Sequence, residues 1–551
     1  MTRRRAGFRW DWGAEAAHLV AFLALVFVLC WYAGIGLAET VSTYVEEGRF
    51  TLAGLVVALN LGMGALLYAA LRFATGTVRL GFLLLFVLGL LVDRVVIETT
   101  DTLPSAETIS LAYHDRAQAS AFFEHFVGGG MILRLLAMAL LAIGLLRIAA
   151  LRRRRVSGVA TLGAIVGFVL SVAAGIFLEL RTGGAFDSYM EPYRLVAKVS
   201  NSVLNGPLYR ERAAVAEAPT RERLAKRIVL VMDESIAWSR LSISGYERDT
   251  TPYLRSIRDR FVDLGPALSS FNCSMASNYV LTADVRPDDL PDPRGRKSLG
   301  QPNIFAWAQR AGYRTMYASA QTEGALTNGM TPFDTKFIDR VHLHQRADDQ
   351  GDLALVPEIL RFLDESERAF VFVVKAGAHF PWARRKYGEV AFAPIPQDGA
   401  PYDIALQAEF RNAYDNLVRW TVDHFAQTLM PPLFEREAMV VYTSDHGQNL
   451  FDHPTRIATH CTFTGEIPPE QGIVPLLVFG APGAVAAEGP GFYSHFHINP
   501  SLRYAMGYDV DVDETFFSRS PRKFDRFFAG DVFGQLREQE VPRPARPRQA
   551  R

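Results

Sequence analysis

Cysteine is scarce in these 551 residues: Cys30, Cys273 and Cys461 are too few for the disulfide framework of a small secreted fold. Cys30 falls in an apolar run, where a thiol serves as a small hydrophobe. Excess charge of either sign is missing too. The 58 basic side chains are matched by 58 acidic ones, so nothing points to a nucleic-acid partner. No internal repeat is visible. No small-residue cleavage site follows the first apolar run, which argues against a removable signal peptide. The length itself excludes a single hydrophobic core and predicts at least two parts.

What the chain has in quantity is apolar sequence at its start. Five stretches, Ala17 to Ala38, Thr51 to Phe73, Leu80 to Ile97, Met131 to Ala150 and Gly158 to Leu180, each approach the ~20 residues that a helix needs to cross hydrocarbon. Asp93 and Arg94 interrupt the third near its end. Arg3, Arg4, Arg5 and Arg9, then Arg72 and Arg79, then Arg147 and Arg152 to Arg155 occupy alternate loops, which the positive-inside rule places in the cytoplasm. The intervening loops carry Glu39 to Arg49 and a longer segment, Glu98 to Gly130, expected to lie as amphipathic helix on the outer surface. Residues 1–180 therefore read as a membrane domain of five helices. An odd number of spans delivers the remainder outside the cytoplasm: a linker with interfacial helices at 181–222, a globular domain at 223–540, and a Pro- and Arg-rich tail at 541–551 expected to be disordered.

The globular domain opens on Ile228 to Met232, a continuous apolar run of the kind found in a strand buried on both faces. Similar runs at Phe370 to Lys375, Met439 to Tyr442 and Pro475 to Phe479 are separated by helical patterns at Pro302 to Ala311 and Glu409 to Leu429, which predicts an α/β domain with a mainly parallel sheet. Ligands of such sheets bind beyond the carboxyl ends of the strands. There the chain places Asp233-Glu234-Ser235, then His379, then Asp445-His446-Gly447, with His460 beyond. Carboxylates mixed with imidazoles suit zinc, and manganese less well.

The segment Val229 to Pro252, with its Gly245-Tyr-Glu-Arg-Asp-Thr-Thr-Pro252 element, resembles the opening of the phosphoethanolamine transferases of the alkaline phosphatase and sulfatase superfamily. His379-Phe-Pro381 with Arg385 and Tyr387, Tyr414-Asp-Asn416, Thr443-Ser-Asp-His-Gly447 and His460 continue the likeness. One departure is plain: Asp233 stands where the family has glycine. The resemblance implies an α/β alkaline-phosphatase/sulfatase-like domain behind a multi-span helical membrane domain, in the bacterial inner membrane with the catalytic part in the periplasm. It also implies a nucleophilic hydroxyl held against a metal. Ser274 is the expected nucleophile, since a helix starting there would aim its positive end at a phosphate, with Ser277 the alternative. Glu234, Ser274, Asp445 and His446 are the expected zinc ligands. His379 and His460, with His453 as the alternative to His460, would contact the transferring group, protonate the leaving alkoxide or hold a second metal. Asn278, Lys375 and Arg385 are expected to grip phosphate or acceptor. The partners so implied are a phospholipid donor, phosphatidylethanolamine, and a glycolipid or glycan acceptor of the envelope, as in lipopolysaccharide modification. Phosphoglycerol transfer, sulfate or phosphodiester hydrolysis and a non-catalytic membrane sensor are the rival readings. Cys273 lacks the Pro and Arg of a Cys-x-Pro-x-Arg motif, which excludes a sulfatase-type modified cysteine. Whether Cys273 and Cys461 pair is open from their spacing alone.

Overall fold

The computed structural model describes residues 12–32, 37, 41, 45, 50–100, 129–149, 158–182 and 211–542, the last with omissions at 293–296, 322–329, 331–332, 345–350, 381, 383–389, 398–399, 401–403, 453–459, 463–465, 482, 488, 531 and 533–535. It divides into two compact units, a helical one drawn from residues before Leu208 and an α/β one running on from Leu208. Arg385, His453, Arg152 to Arg155 and most of the expected outer loop, interfacial linker and tail lie outside the described residues.

The helical unit contains α1 (Trp12–Tyr32), α2 (Phe50–Phe73), α3 (Gly76–Thr100), α4 (Gly129–Ala149) and α5 (Gly158–Thr182), matching the five apolar stretches in place. Among the described residues, α2 is the helix both long and apolar enough to cross a membrane; shorter apolar segments lie at Ala16–Cys30 and Thr161–Ala174. Phe22, Leu67 and Phe86 pack inside the unit, whereas Leu133, Leu140 and Leu170 are exposed.

In the α/β unit, seven strands form one sheet: β1 (Arg227–Asp233), β2 (Phe261–Asp263), β3 (Arg314–Ser319), β4 (Arg340–Leu343), β5 (Ala369–Val374), β6 (Met439–Ser444) and β7 (Leu476–Phe479). Their spatial order is β2-β7-β6-β1-β5-β3-β4. The five strands from β6 to β4 are parallel, as expected, but β7 runs antiparallel to both β6 and β2, so the sheet is mixed. The reason lies in the connection. The chain leaves β6 at the carboxyl edge and re-enters at that same edge as β7, with no crossover helix among the described residues between them. The described residues between β6 and β7 that bear on the site, among them Asp445, His446 and His460, thereby follow the edge where ligands bind.

Alternation along β1 fills both layers. Val229 and Val231 join a core with the helices Leu355–Asp364 and Gln407–Val418, and Ile228, Leu230 and Met232 join one with Ile304–Arg310 and Ile498–Ala505. Each side chain so buried contributes about 1.5–3 kcal/mol of hydrophobic stabilisation. In register, Met232 pairs with both Val374 and Thr443, and Asp233 with Ser444, so the residues following β1, β5 and β6 emerge side by side.

Candidate metal and catalytic centre

The three strand ends supply the site. After β1 the backbone turns sharply, with Ser235 at a φ of 60°, and Glu234 is left nearly fully buried. After β6, Asp445 N–H donates to the Asp233 carbonyl (2.9 Å), while Asp445 Oδ1 accepts the N–H groups of Ser235 (3.1 Å) and His446 (2.7 Å). Asp445 Oδ2 is buried with no hydrogen-bond partner among the described residues. His446 directs Nδ1 to the Gly447 carbonyl (2.7 Å), which fixes the proton there and presents Nε2 3.4 Å from Glu234 Oε1. Gly447 is required for space rather than for a special turn: a methyl group there would collide with the Glu470 carbonyl.

Ser274 is the first residue of helix α6 (Ser274–Ala283), and its Oγ lies 3.1 Å from Glu234 Oε2 and 3.2 Å from His446 Nε2. Ser277 is turned away. Its buried hydroxyl donates to the Phe271 carbonyl (2.8 Å) and accepts the Phe271 N–H (3.1 Å). Asn278, one helical turn beyond Ser274, donates to the Ser274 carbonyl (2.9 Å) and keeps a buried Oδ1 without a partner among the described residues.

Glu234, Asp445 and His446 bring ligand atoms within 4.8 Å of one another, and so do Glu234, His379 and His460, with Glu234 common to both groups. The His460 ring stacks on His446 at 4.3 Å and stands 6.0 Å from His379. His379 Nδ1 bonds the Phe380 carbonyl (2.6 Å) and His460 Nδ1 bonds Gln448 Oε1 (3.0 Å), so in both rings the lone pair belongs to Nε2. Cys273, the residue before α6, is disulfide-bonded to Cys461, the residue after His460. The bond the spacing left open therefore ties the serine's helix to the His460 segment.

The electrostatics suit a cation. Burial penalises the Glu234 carboxylate, but the hydrogen bond and charge of His446, then the charge of His379, outweigh it and hold Glu234 well below the usual range. Burial and the charge of Glu234 push Asp445 well above it. His446, despite burial, is pushed up to about 9 by Asp445 and Glu234. Two carboxylates and an imidazole thus share a proton where a divalent ion would neutralise them, and the orphaned Asp445 Oδ2 is the atom such an ion would satisfy. Oxygen and imidazole donors in this proportion fit zinc.

Lys375 is not part of this arrangement. Although expected at the substrate, it is fully buried behind the strand ends, paired with Asp233 and lying 4.4 Å from the Phe425 ring centre. The Gly245 to Pro252 element also sits outside the metal ligands. Tyr246 donates to Asp415 Oδ2 (2.8 Å), Arg248 to Asp415 (2.9 Å) and Asn412 (2.8 Å), and Pro252 starts a short helix, so the element clasps the helix that carries Tyr414. Tyr414 in turn holds the turn after Glu234, donating to the Ser235 carbonyl (2.6 Å) and accepting the Ala237 N–H (2.9 Å). Sequence reading missed Gln321, which donates to Glu234 Oε2 (2.9 Å), and His495, which bridges Ser270 and Ser444. The signal for Gln321 was its place just past β3, a strand too polar to register as an apolar run.

Residues 226–508, just over half of the chain, match the protein-family model described as Sulfatase. The Kdo(2)-lipid A phosphoethanolamine 7''-transferase of Salmonella typhimurium is 25% identical over 259 residues, which cover 46% of this chain and 44% of that protein. The chain thus spans less than half the length of this curated relative. Among solved structures, the integral membrane protein lipooligosaccharide phosphoethanolamine transferase A (EptA) of Neisseria meningitidis is similar with a TM-score of 0.61 at 17% identity, covering 92% of this chain and 99% of that one. The C-terminal periplasmic domain of EptC from Escherichia coli, in complex with Zn, is similar with a TM-score of 0.50 at 19% identity, over 60% of this chain and 99% of that one.

Proposed function

The chain belongs to the sulfatase family, and on that premise we propose that it is a membrane-bound, zinc-dependent phosphoethanolamine transferase acting through a phosphoserine at Ser274. The donor is phosphatidylethanolamine and the acceptor an envelope glycolipid or glycan, as the name of the Salmonella relative suggests. Residues 1–180 anchor the enzyme through five spans in the bacterial inner membrane, and residues 223–540 act in the periplasm, where donor phosphodiesters line the bilayer surface. Full-length similarity in fold to a protein described as integral to the membrane supports that arrangement.

The observation that carries the reading is the position of Ser274 Oγ, between Glu234 Oε2 and His446 Nε2 at the start of α6. Glu234, Asp445, His446 and Ser274 would hold the zinc, which when bound lowers the pKa of the serine hydroxyl and polarises the phosphoryl group. Ser274 Oγ then forms the bond to phosphorus as the bond to the diacylglycerol oxygen breaks, and that oxygen leaves with a proton. His379 and His460 would contact the leaving oxygen or complete a second metal position with Glu234. Burial, followed by the charge of His446, holds His460 well below the ordinary imidazole range, so it enters as a neutral ring. The first-turn N–H groups of α6 face the phosphate with the positive end of the helix dipole. In the second half, an acceptor oxygen attacks phosphorus and Ser274 is released, giving ping-pong kinetics.

The test is mass spectrometry of the protein incubated with zinc and phosphatidylethanolamine vesicles. A phosphoethanolamine adduct on Ser274 is the expected result. An adduct from phosphatidylglycerol instead would make the enzyme a phosphoglycerol transferase, and none from either lipid would leave hydrolysis or a binding role.

A further inference from the structure

Asp233, standing where the family resemblance expects glycine, forms a buried cluster with Lys375, and its side chain links the ends of β1 and β5 while also meeting Tyr442 of β6. Asp233 Oδ1 accepts the N–H of Glu234 (2.9 Å). Its Oδ2 accepts the Lys375 ammonium and the Tyr442 hydroxyl (2.7 Å). Lys375 is the first residue after β5. Its N–H donates to the Met232 carbonyl (2.9 Å), and its Nζ also donates to the Thr421 carbonyl and lies 3.9 Å from Asp352 Oδ2. Thr421 belongs to the π-helical turn Arg419–His424, a local widening of the helix beside this cluster. Asp352 takes the N–H groups of Ala376 (2.6 Å) and Gly377 (3.1 Å), and the Ala378 N–H reaches the Glu234 carbonyl (2.9 Å). Gly377, at a φ of 46°, is so close that a methyl group there would collide with Asp233 Oδ1.

All three charged groups are nearly or wholly out of solvent, and a buried ion pair is a poor source of stability because desolvation offsets its attraction. Its effect lies in geometry: the cluster joins the backbone of Glu234 to the loop that ends in His379. We propose that Asp233 and Lys375 are paired positioning residues that set the spacing between Glu234 and His379, and so create the second metal position shared by Glu234, His379 and His460. This rests on the metal-dependent reading above. The pair acts as a unit: glycine at 233 would leave buried Lys375 with only the more distant Asp352 as counter-charge, and an apolar residue at 375 would leave Asp233 with none.

The experiment compares zinc binding by the full-length protein with that of Asp233→Asn/Lys375→Met, which removes the directly paired charges together and leaves Asp352 held by the N–H groups of Ala376 and Gly377. Zinc content and affinity are measured by chelator competition, with thermal unfolding followed in parallel. Wild type is expected to bind two zinc ions. The double variant is expected to hold its first with unchanged affinity and its second about tenfold or more weakly, the usual cost of losing support behind a ligand, with Tm little altered. Wild-type affinity for both ions in the double variant would overturn the proposal and leave the pair as core packing. A wild type that binds no zinc would instead overturn the metal reading beneath it. Should the double variant fail to fold, Tyr442→Phe removes one bond to Asp233 Oδ2 and is expected to weaken the second ion alone. Equal affinities there would overturn the proposal as well.

Discussion

The hydroxyl of Ser274 donates to Glu234 Oε2 across 3.1 Å, joining the first residue of α6 to the residue that follows β1. Ser277, three residues on, makes both its bonds to the backbone of Phe271. The two serines should therefore fail in different ways. Ser274→Ala is expected to fold normally and form no phosphoethanolamine adduct. Ser277→Ala is expected to form the adduct but to lose about 1–3 kcal/mol of stability, because it strips a partner from buried backbone groups. Mass spectrometry and thermal unfolding of both variants check this, and an adduct on Ser274→Ala would refute the assignment.

A cation at Glu234, Asp445 and His446 should appear as stability as well as activity. A ligand bound only by the folded state stabilises it by about 2.7 kcal/mol at a hundred times its Kd. Chelation is expected to lower the Tm of wild type by several degrees and that of Asp445→Asn by clearly less, since that variant lacks the orphaned oxygen the ion would satisfy. Equal shifts in the two proteins would place the ion elsewhere.

Much of this centre was legible because β1, β5 and β6 are buried on both faces. Their apolar runs stop abruptly, and Glu234, His379, Asp445 and His446 stand just past the stops. What sequence could not show was direction. Lys375 occupies the same kind of position as Glu234, yet it points into the core, because its partner Asp233 is 142 residues away and only the register of β1 with β5 brings them together. The direction of β7 was likewise open, since its apolar run says nothing of orientation in a sheet expected to be only mainly parallel. The Gly245 to Pro252 element was the most specific signal of kinship, but its side chains bind Asp415 and Asn412. It marks the family by a structural clasp that supports Tyr414 and, through it, the turn after Glu234.

The Cys273–Cys461 bond tests how independent the two proposed metal positions are. Beside it, the Cys461 N–H donates to the Asn272 carbonyl (2.9 Å) and the Asn272 side chain to the Thr462 carbonyl (2.8 Å), so the segment carrying His460 is fastened to the start of α6. Replacing both cysteines by serine is expected to cost about 2–4 kcal/mol of stability. It should also weaken zinc at Glu234, His379 and His460 while sparing the position at Asp445 and His446. Zinc content of the purified double variant decides between this selective loss and a uniform one.

His495 should make stability depend on pH in a known direction. Its Nδ1 accepts the Ser270 N–H (3.3 Å), so its proton sits on Nε2, which donates to the Ser444 carbonyl (2.9 Å). Burial, reinforced by the charge of His446 against the opposing bond to Ser444, lowers its pKa to about 3. A proton added at Nδ1 would also face the Ser270 N–H. Because the folded pKa lies below the unfolded value of about 6.5, the unfolded chain binds the extra proton first. The contribution is complete above pH 6.5 and is lost as pH falls toward 3, at about 1.4 kcal/mol per unit. Between pH 7 and pH 5, metal-free wild type is expected to lose about 2 kcal/mol more than His495→Asn, which has no imidazole to charge. Equilibrium unfolding in urea at the two pH values measures the difference. A gap between the two proteins that does not change with pH would mean that His495 takes up its proton as readily in the fold as in the unfolded chain, and would remove it as the buried neutral bridge between the loop before Ser274 and the strand end before Asp445.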